Sequence, residues 1–303
     1  MSSLDLVALG VPTLIIADDP RLVAAAQAAY AHWLAQSPIP KPQIELRLEI
    51  GAAPSAEWVS LDVTVKGSCL QLRGRGSVGT ANSVAGKGSA ILAPELATDA
   101  AGFAEILDTL LLFLLTRAGR TPIHASAFVL GDLALVLAGP SGSGKSTLAL
   151  AASRRGYPIL SEDTLFVQRE PSFALWGLPR PVHLSPSSAP EGQGEIRERN
   201  GKIKVVIPLT RFALCARRAA LVLLERATSV ALDPITGGEA VDRLMNLDAG
   251  FDLLEEESRQ ALDALASKGA WRLALSDDPN PAIDLLVSQF ANARVQHKRG
   301  QGD

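Results

Sequence analysis

The chain has 303 residues, of which 47% are hydrophobic and 20% are charged, and its formal net charge at pH 7 is -3. These values are typical of a soluble globular protein, and they exclude a global basic field, so no nucleic-acid partner is expected. Neither Cys69 nor Cys215 lies in a C-x-x-C motif or a Cys/His cluster, which argues against a disulfide framework and a structural zinc site.

Two features of the sequence argue against a membrane or secreted location. The N-terminal segment lacks the basic region of a secretory signal, and such a region precedes the apolar part of these signals. The most apolar run, residues 106–115, is shorter than the ~20 residues that a membrane-spanning helix needs. We therefore expect a cytoplasmic protein with no membrane partner.

The first hundred residues, 1–100, are predicted to form a small α+β domain. Asp19 and Pro20 provide an N-cap and an early proline for an alanine-rich helix that ends near Leu34. Alternating or β-branched patterns predict strands over residues 14–16, 44–50, 58–65 and 69–73. Residues 76–88 are rich in glycine, serine and alanine and are predicted to form a loop or a weak strand.

Residues 101–295 are predicted to form an α/β domain, because apolar strands alternate with helices there. A helix over 103–117 links the two domains. The predicted strands of this domain are 123–130, 133–137, 159–160, 165–167, 205–207 and 220–224, and the predicted helices are 145–155, 238–245, 252–268 and 281–292. A polar segment, 185–202, is predicted to be a mobile loop or lid, and the tail 296–303 to be disordered.

The segment Gly139-Pro-Ser-Gly-Ser-Gly-Lys145-Ser146 matches the phosphate-binding pattern G-x-x-x-x-G-K-[ST]. Its context supports the match, because the apolar run LALVLA precedes it and helix-forming residues follow it. Glycines let backbone N–H groups turn toward phosphate oxygens, Lys145 would reach the β and γ phosphates, and the Ser146 hydroxyl would ligate Mg²⁺. The predicted ligand is MgATP, bound by Gly139, Ser141, Gly142, Ser143, Gly144, Lys145, Ser146 and Thr147.

Catalysis by such a loop needs an acid from another strand end. Glu162 and Asp163 follow a short predicted strand that returns after the helix, and Glu225 ends a later strand. The simpler interpretations are a solvated turn pair for Glu162–Asp163 and a surface acid for Glu225. His124 precedes the loop in the strand sequence PIHASA, where it is either a site residue or a core histidine.

Taken in order, the histidine strand, GPSGSGKST, RRGYPILSED and a later Arg-Arg before ALVLLE resemble the catalytic domain of the HPr kinase/phosphorylase family over residues 120–230. The resemblance implies a P-loop serine kinase with a fold similar to phosphoenolpyruvate carboxykinase. It also implies that Glu162 is the base for the serine proton, that His124 supports this acid, and that Asp163 lies near Mg²⁺ with Ser146. Arg218 matches an arginine of the family's substrate and phosphate region.

Some positions depart from the bifunctional members of this family. Pro140 and Thr147 stand where those enzymes usually carry Asp and Glu, which argues against the reverse phosphorolysis reaction. The first hundred residues do not resemble the family's regulatory domain. The chain looks more like the HPr-kinase-related proteins of peptide-modification clusters, including lasso-peptide kinases, and the resemblance implies a homo-oligomer.

The sequence thus predicts an ATP-dependent kinase that phosphorylates a serine of a peptide or a small protein such as HPr. One alternative is a P-loop ATPase or nucleotide-dependent switch, and another is a non-catalytic ATP sensor. A third is a small-metabolite kinase, whose anion pocket would use Arg180, Lys202, Lys204 and Arg218. His183 and Trp176 are interpreted as structural, within a strand–turn–strand segment near the site.

Overall fold

The computed structural model describes residues 1–51, 61–199, 202–245 and 255–299, and they form a mixed α/β protein with three sheets. The chain divides into two compact units, Met1–Arg120 and Thr121–Asp303. The predicted boundary after residue 100 lies earlier than this division. The difference arises because the helix that was predicted to link the two domains packs on the sheet of the first unit.

The first unit is built around one seven-stranded sheet. Its strands are β1 (Ser2–Ala8), β2 (Val11–Ala17), β3 (Ile44–Ile50), β4 (Asp62–Lys66), β5 (Cys69–Gly74), β6 (Ser77–Asn82) and β7 (Lys87–Leu92). Its helices are α1 (Pro20–Ala29), α2 (Ala100–Arg117) and the short 3-10 helices Ala31–Trp33 and Pro94–Ala97. The strand order is β1-β2-β3-β7-β6-β5-β4, with β2–β3 and β3–β7 parallel.

Local sequence explains most of these elements. Asp19 caps α1 by accepting a hydrogen bond from the Arg21 amide, and Asp99 caps α2 in the same way. For residues 76–88, where a loop or a weak strand was predicted, the strand alternative is confirmed, because β6 and the start of β7 form a hairpin there. Their small residues permit close packing: a Cβ at Gly88 would lie 2.7 Å from a Leu46 methyl group.

The described part of the second unit contains a nine-stranded sheet, a three-stranded sheet and four helices. The strands are β8 (Thr121–Leu130), β9 (Leu133–Ala138), β10 (Ile159–Ser161), β11 (Thr164–Gln168), β12 (Ala174–Gly177), β13 (Val182–Leu184), β14 (Glu195–Arg199), β15 (Lys202–Ile207), β16 (Cys215–Ala216), β17 (Arg218–Arg226), β18 (Ala231–Ile235) and β19 (Ala270–Leu275). The helices are α3 (Lys145–Arg154), α4 (Gly237–Met245), α5 (Glu255–Ala266) and α6 (Asn280–Arg299).

The large sheet has the order β16-β12-β11-β8-β9-β17-β19-β18, with β10 also paired to β8. Strands β9, β17 and β19 run parallel, and the other pairs are antiparallel. Both faces of the sheet are covered, since α3, α6 and the small sheet pack on one face and α4 and α5 on the other. This burial on both sides explains the uninterrupted apolar sequence of β9 and β17.

The small sheet, of order β13-β15-β14, changes one prediction and confirms another. Part of the polar segment predicted to be a loop or lid forms β14, which pairs antiparallel with β15. The predicted strand–turn–strand over 176–183 is confirmed by β12 and β13. Helix α6 contains residues 296–299 of the predicted disordered tail, and the rest of that tail lies outside the described residues.

Most other predicted elements of this unit are confirmed to within a few residues. The sequence did not predict β16, β18 or β19. The predicted helix over 252–268 corresponds to α5, which starts at Glu255 in the described part of the chain. Within the described ranges, no helix is both long enough and apolar enough to cross a bilayer.

Candidate active site

The glycine-rich segment 139–144 connects the buried strand β9 to the first turn of α3. All three glycines of this segment have positive φ angles that favour glycine, including 81° at Gly142 and 105° at Gly144. A Cβ at Gly144 would also lie 2.6 Å from a Leu275 methyl group. A residue with a side chain would therefore be strained at Gly144, the N-cap of α3.

Lys145 lies inside this loop and is only 7% exposed. Its ammonium donates hydrogen bonds to the carbonyl oxygens of Gly139, at 2.7 Å, and Pro140, at 3.1 Å. Burial lowers the pKa of the lysine, while the nearby carboxylates of Asp163 and Glu162 act in the opposite direction. The loop thus wraps around a buried cation that faces two acids.

The loop residues fall into two groups. Ser141, Gly142, Gly144, Lys145, Ser146 and Thr147 line one cavity of about 580 Å³. Gly139 and Ser143, predicted to belong to the same binding surface, line a different cavity on the other side of the loop. The buried Ser143 hydroxyl packs behind Gly139 and has no hydrogen-bond partner among the described residues.

Glu162 and Asp163 occupy the tight turn between β10 and β11, and both of these strands pair with β8. The turn is held by side chains, since Ser161 Oγ donates to the Thr164 carbonyl at 2.6 Å and Ser126 Oγ donates to the Glu162 carbonyl. Glu162 is buried, at 6% exposure, whereas the Asp163 side chain is 64% exposed. The adjacent acids therefore have different environments.

Each of the two acids lies beside a different histidine. His124 Nδ1 lies 3.2 Å from Asp163 Oδ1, because β8 places His124 opposite Thr164. His183 Nδ1 lies 3.7 Å from the Glu162 carboxylate. The structure thus places His124, which was expected to support Glu162, beside Asp163, and it places His183, which was interpreted as structural, beside Glu162.

The lysine, the acids and the two histidines line the same cavity of about 580 Å³. Lys204 of β15 and Arg226 at the end of β17 complete its basic wall. Arg180 does not line this cavity, and the Lys202 side chain lies outside the described part of the structure. Nine of the predicted site residues thus line one cavity: His124, Ser141, Gly142, Gly144, Lys145, Ser146, Thr147, Glu162 and Asp163.

Arg218 is not part of this site. It pairs in parallel register with Leu133, at the start of β9, and it forms an ion pair with Asp132. The loop follows the opposite end of β9, six residues later, roughly 20 Å away at about 3.3 Å per residue. The arginine that does reach the site is Arg226, which donates to the Gly142 carbonyl at 3.4 Å.

Glu225, the other acid considered from the sequence, lies on the second side of the loop. Its carboxylate accepts a hydrogen bond from Arg243 of α4, and it lines the cavity that contains Gly139 and Ser143. Glu225 therefore faces away from Glu162 and Asp163, and it is not a second acid of the same cavity.

The donor atoms of the first cavity fit a small, hard cation that keeps water and phosphate oxygens among its ligands. No group of three or more His, Cys, Asp or Glu side chains within the described ranges could hold a metal ion by itself. The oxygen donors that line the cavity include the Ser146 hydroxyl and the exposed Asp163 carboxylate. Such a sparse set of oxygen ligands suits Mg²⁺ bound with a polyphosphate.

The similarity to known proteins that the comparisons detect is distant and structural. No family model and no curated protein matches the chain. Among solved structures, the HPr(Ser) kinase/phosphatase from Coxiella burnetii matches with 10% sequence identity and a TM-score of 0.30, over 58% of this chain and 99% of that chain.

Proposed function

We propose that the chain is an ATP-dependent serine kinase that transfers the γ-phosphoryl group to a serine hydroxyl of a peptide or small protein. One observation carries the proposal: a buried lysine at a helix N-terminus and a pair of adjacent acids line the same cavity. This arrangement provides a cation for phosphates and a base for a hydroxyl group within one space.

Nucleotide binding is assigned to the loop and the start of α3. The N-terminus of a helix and the turned-in N–H groups of a glycine loop attract phosphate oxygens. Lys145, held by the carbonyls of Gly139 and Pro140, would exchange these contacts for the β and γ phosphates. Arg226 and Lys204, at the wall of the cavity, add positive charge where the terminal phosphate would lie.

Ser146 and Asp163 are the residues that would hold Mg²⁺, which when bound neutralises phosphate charge and aligns the terminal phosphoryl group. Asp163 suits this role because it is exposed to the cavity and lies beside His124, which fixes its orientation. Ser146 suits it because its hydroxyl is at the first turn of α3, next to Lys145.

Glu162 is the base in this proposal. It would accept the proton of the serine hydroxyl as the new O–P bond forms, while the bond between the γ-phosphorus and its bridging oxygen breaks and ADP leaves. Lys145 would stabilise the charge that develops on the leaving phosphates. His183, whose Nδ1 lies 3.7 Å from the Glu162 carboxylate, would help to orient this base.

The geometry favours this function over the two other catalytic possibilities. An ATPase switch would draw on Glu225, but that acid is paired with Arg243 on the other side of the loop. A metabolite kinase would need the cluster that includes Arg218, which lies at the far end of β17. Among the described side chains of that set, Lys204 is the one that lines the cavity.

The proposal is tested by incubating the full chain with Mg²⁺ and γ-labelled ATP, separately with HPr, with serine-ending precursor peptides, with small hydroxyl metabolites and with no acceptor. We expect label on a polypeptide serine, and none with the control Lys145→Met, which keeps the side-chain length but removes the charge. Equal phosphate release with and without acceptors would support the ATPase instead. Label on a metabolite would support the metabolite kinase.

A further inference from the structure

The second cavity at the glycine loop has no role in the chemistry described above. Its volume is about 640 Å³, and it lies between the loop, the end of β17 and the last turn of α4. It shares Ser141, Gly142 and Arg226 with the first cavity. A single elongated molecule could therefore cross the loop and occupy both cavities.

The positions of Glu162 and Asp163 determine which end of such a molecule would lie in the first cavity. Strand β9 lies between β8 and β17 in the sheet, and Glu162 and Asp163 project from the side of β8. If the terminal phosphate faces these acids, the other end of the nucleotide must lie toward β17. The second cavity opens on that side of the loop.

The lining of the second cavity differs from that of the first. Its walls come from Pro140, Leu223, Leu224 and Leu244, and most of its surface is apolar. Its polar rim contains the ion pair between Glu225 and Arg243. A carboxylate at the rim repels phosphate, whereas apolar walls with a few polar groups match the flat faces of a base and the hydroxyls of a sugar.

We propose that this second cavity binds the nucleoside part of the nucleotide, with the base packed between Pro140 and Leu244 and the sugar at the Glu225–Arg243 pair. The inference rests on the proposed function, because it assumes that phosphates occupy the first cavity. In this arrangement α4, through Arg243 and Leu244, contributes to the specificity for the nucleotide. Because the walls are apolar, we expect a nucleotide to bind more tightly than the same phosphate chain without its nucleoside.

The test compares the binding of MgATP and of magnesium tripolyphosphate to the full chain by calorimetry. We expect MgATP to bind about tenfold more tightly or better, since burial of a base and sugar adds apolar contact area. Leu244→Trp, which fills the cavity, should remove this difference and leave tripolyphosphate binding unchanged. Leu244→Ala, which enlarges the cavity, should reduce the preference for MgATP without abolishing it.

Leu214→Trp is the matched control, because Leu214 is exposed and lies beside β16 at the far edge of the sheet. This variant should keep the full preference for MgATP. Equal affinity of the wild-type chain for both ligands would overturn the nucleoside site and leave the phosphate site standing. An unchanged preference in Leu244→Trp would also overturn it. Failure of both ligands to bind would overturn the proposed function and this inference together.

Discussion

Lys145 carries the clearest electrostatic signal at the site. Burial lowers its pKa from the usual lysine value, despite the two acids nearby. Below the lowered pKa the ammonium is present, so nucleotide affinity should be highest there and should fall as pH rises through it. Between the lowered pKa of Lys145 in the folded chain and its usual pKa in the unfolded chain, the folded chain binds fewer protons at this group. Raising the pH through this window therefore stabilises the fold through Lys145.

This pH dependence can be measured by calorimetry of MgATP binding across the alkaline range, in buffers of different ionisation enthalpy. Bound phosphates raise the pKa of Lys145, so binding above its free-state value should take up a proton. Lys145→Met should abolish this uptake and weaken binding by about 10- to 100-fold, as expected for lost hydrogen bonds from a charged group. Proton uptake that persists in this variant would rule out Lys145 as its source.

The two histidines give a second prediction at the residue scale. His183→Ala should lower the turnover number about tenfold or more, because the buried Glu162 loses the group that orients it. The KM for ATP should stay unchanged, since His183 contacts the base and not the loop. His183→Asn, which keeps a donor near the position of Nδ1, should recover much of the rate.

His124→Ala is the matched comparison. His124 lies beside Asp163, which is assigned to Mg²⁺, so this variant should raise the Mg²⁺ concentration needed for half-maximal rate. A wild-type turnover number in His183→Ala, or the same phenotype for both alanine variants, would contradict the division of roles.

For individual residues, the sequence predicted those cavity residues that belong to a short local motif. The loop and the acidic pair are short motifs with strong turn and strand context, and most of their residues line one cavity in the structure. His183 could not be found in the same way, because it reaches Glu162 only through the pairing of β13 with β15. Arg218 was misplaced because sequence order does not reveal the parallel register of β17 beside β9.

Among the secondary-structure elements, β12 packs closely against β10, which leads into the turn that carries Glu162 and Asp163. A Cβ at Gly177 would lie 1.7 Å from the Leu160 carbonyl oxygen, two residues before Glu162. Gly177→Ala must therefore displace backbone, and we expect a loss of about 2–4 kcal/mol in the free energy of unfolding. Chemical denaturation monitored by circular dichroism measures this loss.

The matched control for Gly177→Ala is Gly238→Ala in α4, where a Cβ meets no atom within 4 Å. Alanine is the better helix former, so this change should be neutral or stabilising by up to about 1 kcal/mol. Equal stability of the two variants would show that the close approach at Gly177 does not constrain the turn.

Element prediction succeeded where hydrophobic periodicity was strong and failed where pairing alone defines a strand. The alternation in β3 and the apolar runs of β8, β9 and β17 identified these strands directly. The small residues of β6 and β7 show no such pattern, and at Gly79 and Gly88 the neighbouring atoms leave little room for a side chain. Strand β14 is polar and exposed, so its pairing with β15 leaves no trace in its hydrophobicity.

For the whole molecule, every residue assigned to the site belongs to the unit Thr121–Asp303. Hydrogen exchange on the full chain should therefore show slower exchange with MgATP in the glycine loop, the first turn of α3 and the turn between β10 and β11. Mg²⁺ alone serves as the control and should have little effect on the loop. Protection confined to Met1–Arg120 would contradict the placement of the site.

The division into two units was predictable in kind but not in position. The change from a small α+β pattern to alternating strands and helices indicated two domains. The helix α2 was assigned to the wrong one, because its apolar face does not reveal which sheet it covers. Its buried residues pack within the first unit.

The most direct test of the proposed chemistry is the single-turnover rate of γ-phosphoryl transfer to an accepting serine by Glu162→Gln at saturating MgATP. Glutamine keeps the size of the side chain but removes its basicity, so the rate should fall about 10²- to 10⁴-fold while MgATP affinity stays within about twofold. Glu225→Gln, on the other side of the loop, should transfer normally. A wild-type rate in Glu162→Gln would contradict the assignment of Glu162 as the base.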